Sequence, residues 1–162
     1  MATGPATGGI EAPAAAAGSQ ASQPAAAAVP PLLSFTGTTL DGAAFTGAAL
    51  AGRPAVLWFW APWCAACAGQ AASIADMQEA YGDRVGIVGI PGLGAEPAMR
   101  QFVSELGVGG VRHVNDPTGA LWRHFKVVEQ STYLILDRTG ETVHQGWLDS
   151  LEFESTVESL AG

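Results

Sequence analysis

Six apolar residues stand in a row at Ala55-Val56-Leu57-Trp58-Phe59-Trp60, inside the segment Pro54–Ala61. A short run without polar alternation predicts a strand covered on both faces. The period then changes. From about Ala65 to Tyr81 the residues Cys67, Ala71, Ile74, Met77 and Tyr81 recur on one helical stripe, and Gly82 follows as a stop. Val85–Ile90 reads as a second buried strand. Pro97 opens a second helix, with Met99, Phe102, Val103 and Leu106 at i, i+3, i+4 and i+7 before Gly107. Asp116-Pro117 has the form of an N-cap and first helical residue, predicting a short helix that carries Leu121, Trp122 and Phe125. Thr132–Asp137 and Thr142–Gln145 predict a hairpin turning at Arg138-Thr139-Gly140, and Ser150 is the expected cap of a last helix with Phe153, Val157 and Leu160. Upstream, Asp41-Gly42 separates two short extended pieces, near Leu33–Phe35 and Ala44–Thr46.

The resulting order is β-β, then β-α-β-α, then a short α, then β-β-α. Strands alternating with helices imply a parallel central section with right-handed crossovers, to which the late hairpin adds antiparallel strands. No repeat of 20–50 residues is visible, and no run of about 18 apolar residues is available to span a membrane.

Ahead of Leu32 the patterning stops. Of the first 31 residues, 27 are Ala, Gly, Pro, Ser, Thr or Gln, with Glu11 the one charge and no aromatic residue. Such a segment buries too little apolar surface to offset its ordering entropy, so Met1–Pro31 is expected to be a disordered tail and 32–162 the folded domain. With no Lys, no Arg and no apolar block it is not itself a signal peptide. It resembles the spacer that follows a removed signal or lipid-anchor segment, Met1 then being a cloning start. The alternative is a cytosolic chain with a mobile N-terminus.

Composition narrows the function. Fifteen acidic residues against seven basic ones give a net charge of −8 over 162 residues. Phosphate binding draws on Lys and Arg, so a nucleic-acid partner is not expected. Lys126 is the only lysine, which leaves no polybasic membrane patch. Two cysteines are too few for a disulfide-stapled small fold.

Those two, Cys64 and Cys67, stand two residues apart where the buried strand meets the first long helix, directly after Trp60-Ala61-Pro62-Trp63. A helix N-terminus offers unpaired N–H groups and the positive end of the dipole, and both favour a thiolate. Cys64 is therefore the expected attacking sulfur and Cys67, one turn inside, the resolving thiol; exchange runs through a mixed disulfide on Cys64. A purely structural bridge is disfavoured because so small a loop barely constrains the unfolded chain. Zinc would need two more ligands, and His113, His124 and His144 are scattered singly, each read as a surface residue. The five Trp are read as packing, apart from Trp63 at the rim of the site.

Leu57–Cys67, L-W-F-W-A-P-W-C-A-A-C, taken with the element order, resembles the thioredoxin fold. More narrowly, it is similar to extracytoplasmic TlpA/DsbE-like thiol-disulfide oxidoreductases, above all the secreted Gram-positive type. The resemblance extends over about Leu32–Gly162, including Thr39–Gly42 and the lead-in Gly52–Leu57. It implies a three-layer α/β/α domain with a mixed central sheet and an N-terminal β-hairpin extension. It also implies protein thiols or disulfides as substrates, a redox partner protein, no cofactor and no metal, a monomer, and a place outside the cytoplasm.

Several positions depart from the family pattern. The family's cis-proline beside the disulfide is Ser131, followed by Thr132. A cis bond ahead of a non-proline residue costs about 2.5–4 kcal/mol, so a trans bond or a changed loop is expected. The usual Glu three residues after the second Cys is Gln70, a helix-kinking Pro is Ala72, and the buried Asp of thioredoxins is Trp58. Trp63, Gln70, Ser131 and Thr132 are the implied substrate contacts, and Gln70 is also expected to donate a hydrogen bond to a sulfur anion. Two other functions stay open on the residues: a Cu(I)-binding thiol protein, with Met77 and Met99 better explained as core, and a binding module with weakened turnover. A peroxidase lacks its Thr-x-x-Cys pattern before Cys64.

Overall fold

The computed structural model describes residues 28–162, together with Gly4. Most of the expected tail therefore lies outside the described residues. The elements are β1 (Thr36–Thr39), β2 (Ala44–Thr46), β3 (Ala55–Trp60), α1 (Ala65–Tyr81), β4 (Gly86–Pro91), α2 (Glu96–Glu105), β5 (Arg112–Asn115), α3 (Ala120–His124), β6 (Thr132–Leu136), β7 (Thr142–Gly146) and α4 (Ser150–Ala161), with 3-10 turns at Pro31–Leu33 and Gly47–Leu50. The seven strands form one mixed sheet in the order β2-β1-β5-β4-β3-β6-β7. Strands β3, β4 and β5 run parallel; β6, β7 and the β1–β2 hairpin pair antiparallel.

Strand β3 is central and buried throughout, as its apolar run requires. Successive side chains point to opposite faces. Val56, Trp58 and Trp60 pack with α1, α2 and α4, while Ala55, Leu57 and Phe59 pack with α3 and the 3-10 turns. The result is a three-layer α/β/α domain of thioredoxin-like fold. Tyr133 of β6 stacks on Phe153 of α4, with centroids 4.4 Å apart, and this closes the first layer.

Four boundaries differ from the sequence reading. Leu33–Phe35 is not a strand: Leu33 ends a 3-10 turn, and the strand begins at Thr36. Leu33 and Phe35 are apolar because they fill the core against α3, not because they alternate on a sheet. Strand β5 was not foreseen. Asp116 does not cap a helix directly; Gly119, at φ 72°, is the N-cap, and the Asp116 carboxylate reaches over the turn to accept the N–H groups of Leu121 and Trp122 at 3.1 and 3.0 Å. The cap of α4 is Asp149, in a capping box with Glu152, and Ser150 is the first helical residue.

The domain's start can be tested by truncation. A chain beginning at Ala28 is expected to melt within about 2 °C of the full chain. One beginning at Ser34 loses Leu33, which is 2% exposed. That is a loss of about 2 kcal/mol and several degrees. Equal melting of the two would show that the first 3-10 turn contributes nothing.

Candidate functional site

Strand β3 ends at Trp60, and Ala61-Pro62-Trp63 carries the chain over the sheet edge to Cys64, the N-cap of α1. Cys64 sits in extended geometry, with its own N–H bonded to Ala61 O at 3.2 Å. Its Sγ accepts the N–H of Cys67 at 3.1 Å, the bond a capping oxygen ordinarily takes. Cys64 and Cys67 are joined as a disulfide, with Cα atoms 5.2 Å apart. Cys64 is 6% exposed and Cys67 fully buried. The sulfur the sequence marks as attacking is thus the one nearer the surface.

Trp63 stands out from the domain, 61% exposed. Its indole N–H donates to Leu93 O at 2.7 Å, which fixes the ring against the loop after β4. Cys64 opens into a groove of about 380 Å³ between the start of α1 and α2, floored by Phe102. A larger cavity, about 460 Å³, lies between the β1–β2 turn, the end of α2 and β5, and includes neither cysteine.

Gln70 is 5% exposed and its amide is engaged inside the protein. Oε1 accepts the Trp58 indole N–H at 2.8 Å, and Nε2 donates to Ser131 O at 3.1 Å. This corrects the expectation that Gln70 touches substrate or a sulfur anion: it is a buried tie between α1, β3 and the loop ahead of β6. Ser131 takes the left-handed region at φ 60°, and no cis peptide bond occurs among the described residues. The loop has changed shape at the position the family gives to cis-proline. Thr132 is buried, pairs with Phe59 across the sheet, and donates its hydroxyl to Glu129 O at 2.9 Å. One step further in that register puts Ser131 level with Trp60, at the end of β3 that leads into the cysteines.

Behind the site lies an aromatic wall. Trp60 stacks on Phe102 with centroids 4.2 Å apart. The Trp60 indole N–H donates to Nδ1 of His113 at 3.2 Å, so the ring proton sits on Nε2 and is donated to Val108 O at 3.0 Å. His113 is therefore not the surface residue the sequence suggested. Burial pushes its pKa from 6.5 down to about 4, against the pull of the Val108 carbonyl. Burial, with the negative charge of Glu154, raises the Tyr133 phenol well above its ordinary value. Trp147, read as packing, is instead exposed. Met77 and Met99 are in the core, and no cluster of three or more His, Cys, Asp or Glu able to hold a metal occurs among the described residues.

Residues 29–145 match the AhpC/TSA family. The soluble secreted antigen MPT53 of Mycobacterium tuberculosis is 39% identical over 120 residues, which is 74% of this chain and 68% of that protein; the Mycobacterium bovis protein of that name matches to the same extent. Among solved structures, MTB DsbF, determined in its mixed oxidized and reduced forms, is 37% identical with a TM-score of 0.77 over 82% of this chain and 99% of that one. A secreted Mycobacterium tuberculosis disulfide oxidoreductase homologous to E. coli DsbE is 34% identical, with a TM-score of 0.73 over 80% of this chain and 98% of that one.

Proposed function

The chain belongs to the AhpC/TSA family, as a thiol-disulfide oxidoreductase of the DsbE/DsbF type, and from that premise we propose that it oxidises protein thiols outside the cytoplasm. The observation that carries the oxidant role is Cys64 at the N-cap of α1, its sulfur already accepting the Cys67 N–H. That bond and the helix dipole favour a thiolate, and whatever favours the reduced, thiolate form makes the pair a stronger oxidant. Two positions where a carboxylate would oppose the thiolate by like-charge repulsion hold Trp58 and Gln70. The apolar surroundings act the other way, since desolvation raises a thiol pKa.

In the proposed cycle a client thiolate attacks Sγ of Cys64. The Cys64–Cys67 bond breaks, and its electron pair leaves on the Cys67 sulfur, which takes up a proton. A second client thiolate then attacks the client sulfur of the mixed disulfide, and Cys64 departs as a thiolate. Two electrons pass from the client dithiol to the pair, and a redox partner protein with a more oxidising disulfide takes them on. Trp63 rims the reacting sulfur, and Ser131, ahead of the buried Thr132, is the edge against which the client chain lies. The location outside the cytoplasm draws support from two relatives described as secreted, and from the persistence of disulfides in oxidising compartments.

Equilibration with glutathione at pH 7 tests the role. The pair is expected to lie above the roughly −270 mV of thioredoxin. Gln70→Glu is expected to raise the Cys64 pKa and lower the potential, because it sets a carboxylate one helical turn from Cys67. A wild-type potential below that of thioredoxin overturns the oxidant reading.

A further inference from the structure

Gln70 is buried between two groups with opposite needs. The Trp58 indole N–H requires an acceptor and the Ser131 carbonyl a donor, and the one amide meets both, at 2.8 and 3.1 Å. Its orientation is forced. Turned over, it would set its NH2 group against the indole N–H and its oxygen against the carbonyl. An ionised Glu offers acceptors only, and an aliphatic chain neither kind of group. Gln70 lies three residues after Cys67, one turn further along α1, so the tie to Ser131 starts from the helix that carries the disulfide.

The far end of the tie is a backbone that does not hold itself. Ser131 sits at φ 60°, the left-handed region. A residue with a Cβ is uncommon there, because the side chain crowds the following carbonyl. Such a conformation persists only where its surroundings over-determine it. Packing supplies little of that. Between Val127 and Thr132 no residue is buried, and Val128 is 92% exposed. Outside the strand ladders, Ser131 makes no backbone–backbone hydrogen bond among the described residues. The Thr132 hydroxyl reaches past it to Glu129 O. The bond from Gln70 is the one that acts on Ser131 itself.

We propose that Gln70 is a positioning residue for exchange at Cys64: its amide holds the left-handed turn at Ser131 and so fixes that edge to the helix bearing the disulfide. This rests on the client chain lying against Ser131 and adds what keeps that edge in one shape. The rigidity that a proline ring would give at 131 is supplied from α1 instead, by a side chain that touches neither client nor sulfur. Trp58 serves the same end from β3, since its indole N–H sets which way the Gln70 amide faces.

The experiment uses the oxidised full chain and two thiols: glutathione, and a peptide with a central cysteine and flanks long enough to lie along the loop. Rates of mixed-disulfide formation are read as the peptide-to-glutathione ratio. Gln70→Met keeps the length of the side chain and removes the donor, and the ratio is expected to fall about tenfold. Trp58→Phe removes the indole N–H and leaves the bond to Ser131. It is expected to lower the melting temperature and to keep the ratio near that of wild type. Ser131→Gly placed in Gln70→Met is expected to restore the ratio in part, because glycine takes the left-handed region without strain. Ser131→Ala in the same background restores nothing. A ratio unmoved by Gln70→Met overturns the proposal, as does an equal fall in Trp58→Phe, or a glycine double variant no better than the alanine one. A wild type that reacts with neither thiol overturns the exchange reading and this one with it.

Discussion

Presented with a client in its disulfide form, Cys67→Ala is left with client protein covalently attached through Cys64 and does not turn over, whereas Cys64→Ala captures nothing. The asymmetry follows from placement. Cys64 is at the helix N-cap and opens into the groove, so client sulfur meets it first; in Cys67→Ala the Cys64 thiolate attacks the client disulfide, and the second client sulfur leaves as a thiolate. Cys67 is one turn inside and fully buried; its part is to carry off the electron pair and, in the reverse sense, to attack the mixed disulfide within the molecule. Without it, release depends on a second external thiol, and because the two sulfurs act as a unit the loss is close to that of removing both. Each variant is expected to oxidise a reduced model substrate at the uncatalysed rate. The trapped adduct of Cys67→Ala runs as a higher band on a non-reducing gel and vanishes with reductant. A parallel check is alkylation of the reduced wild type at mildly acid pH. The more acidic thiol holds more thiolate there, so Cys64 labels first. Preferential labelling of Cys67, or capture by Cys64→Ala, reverses the assignment.

The parts of this site legible in the sequence are those whose cause is local. The apolar run of β3 and the stripe of α1 each declare their period within a dozen residues, and the cysteines sit at the junction of the two. Strand β5 reads Arg-His-Val-Asn, four residues with no apolar alternation; it is a strand because β1 and β4 pair with it from either side. Gln70 stands out by position, but its partners are Trp58 and Ser131, the second of them 61 residues away. A lone Gln near a reactive thiol reads as a donor to sulfur until the fold supplies a carbonyl that uses its amide first. The Ser131 backbone is similar: the missing proline shows in the sequence, while the left-handed turn in its place, and the Gln70 amide that bonds to its carbonyl, do not. His113 is the clearest instance. It lies between exposed Arg112 and buried Val114, and the partners that hold an imidazole there are the Trp60 indole, 53 residues earlier, and the Val108 carbonyl.

That buried imidazole is expected to make the domain acid-sensitive above pH 4. In the folded protein His113 stays neutral down to about pH 4, because burial disfavours the imidazolium. Arg100, paired with Glu96, lies with Arg112 and Asp41 on the cavity beside it. Both ring nitrogens are also spoken for, and protonating Nδ1 would replace the acceptor that Trp60 uses with a second donor. In the unfolded chain the same group titrates near its ordinary 6.5. Between those two values the unfolded state binds a proton that the folded state does not, so stability falls as pH drops through that window and is complete above it. The gap amounts to about 3 kcal/mol by pH 4, a large share of a small domain's stability. Asp41 and Asp137 have carboxyls held below their usual values by hydrogen bonds, so their stabilisation is lost only at lower pH and does not overlap this window. Urea unfolding of the oxidised protein at pH 7, 5.5 and 4 is expected to show the loss as a falling midpoint at constant slope. His113→Gln keeps an acceptor for Trp60 and a donor for Val108 without a titrating proton. It is expected to be somewhat less stable than wild type at pH 7 and to lose far less between pH 7 and 4. A wild-type midpoint unchanged down to pH 4, or the same decline in His113→Gln, would place the acid sensitivity elsewhere.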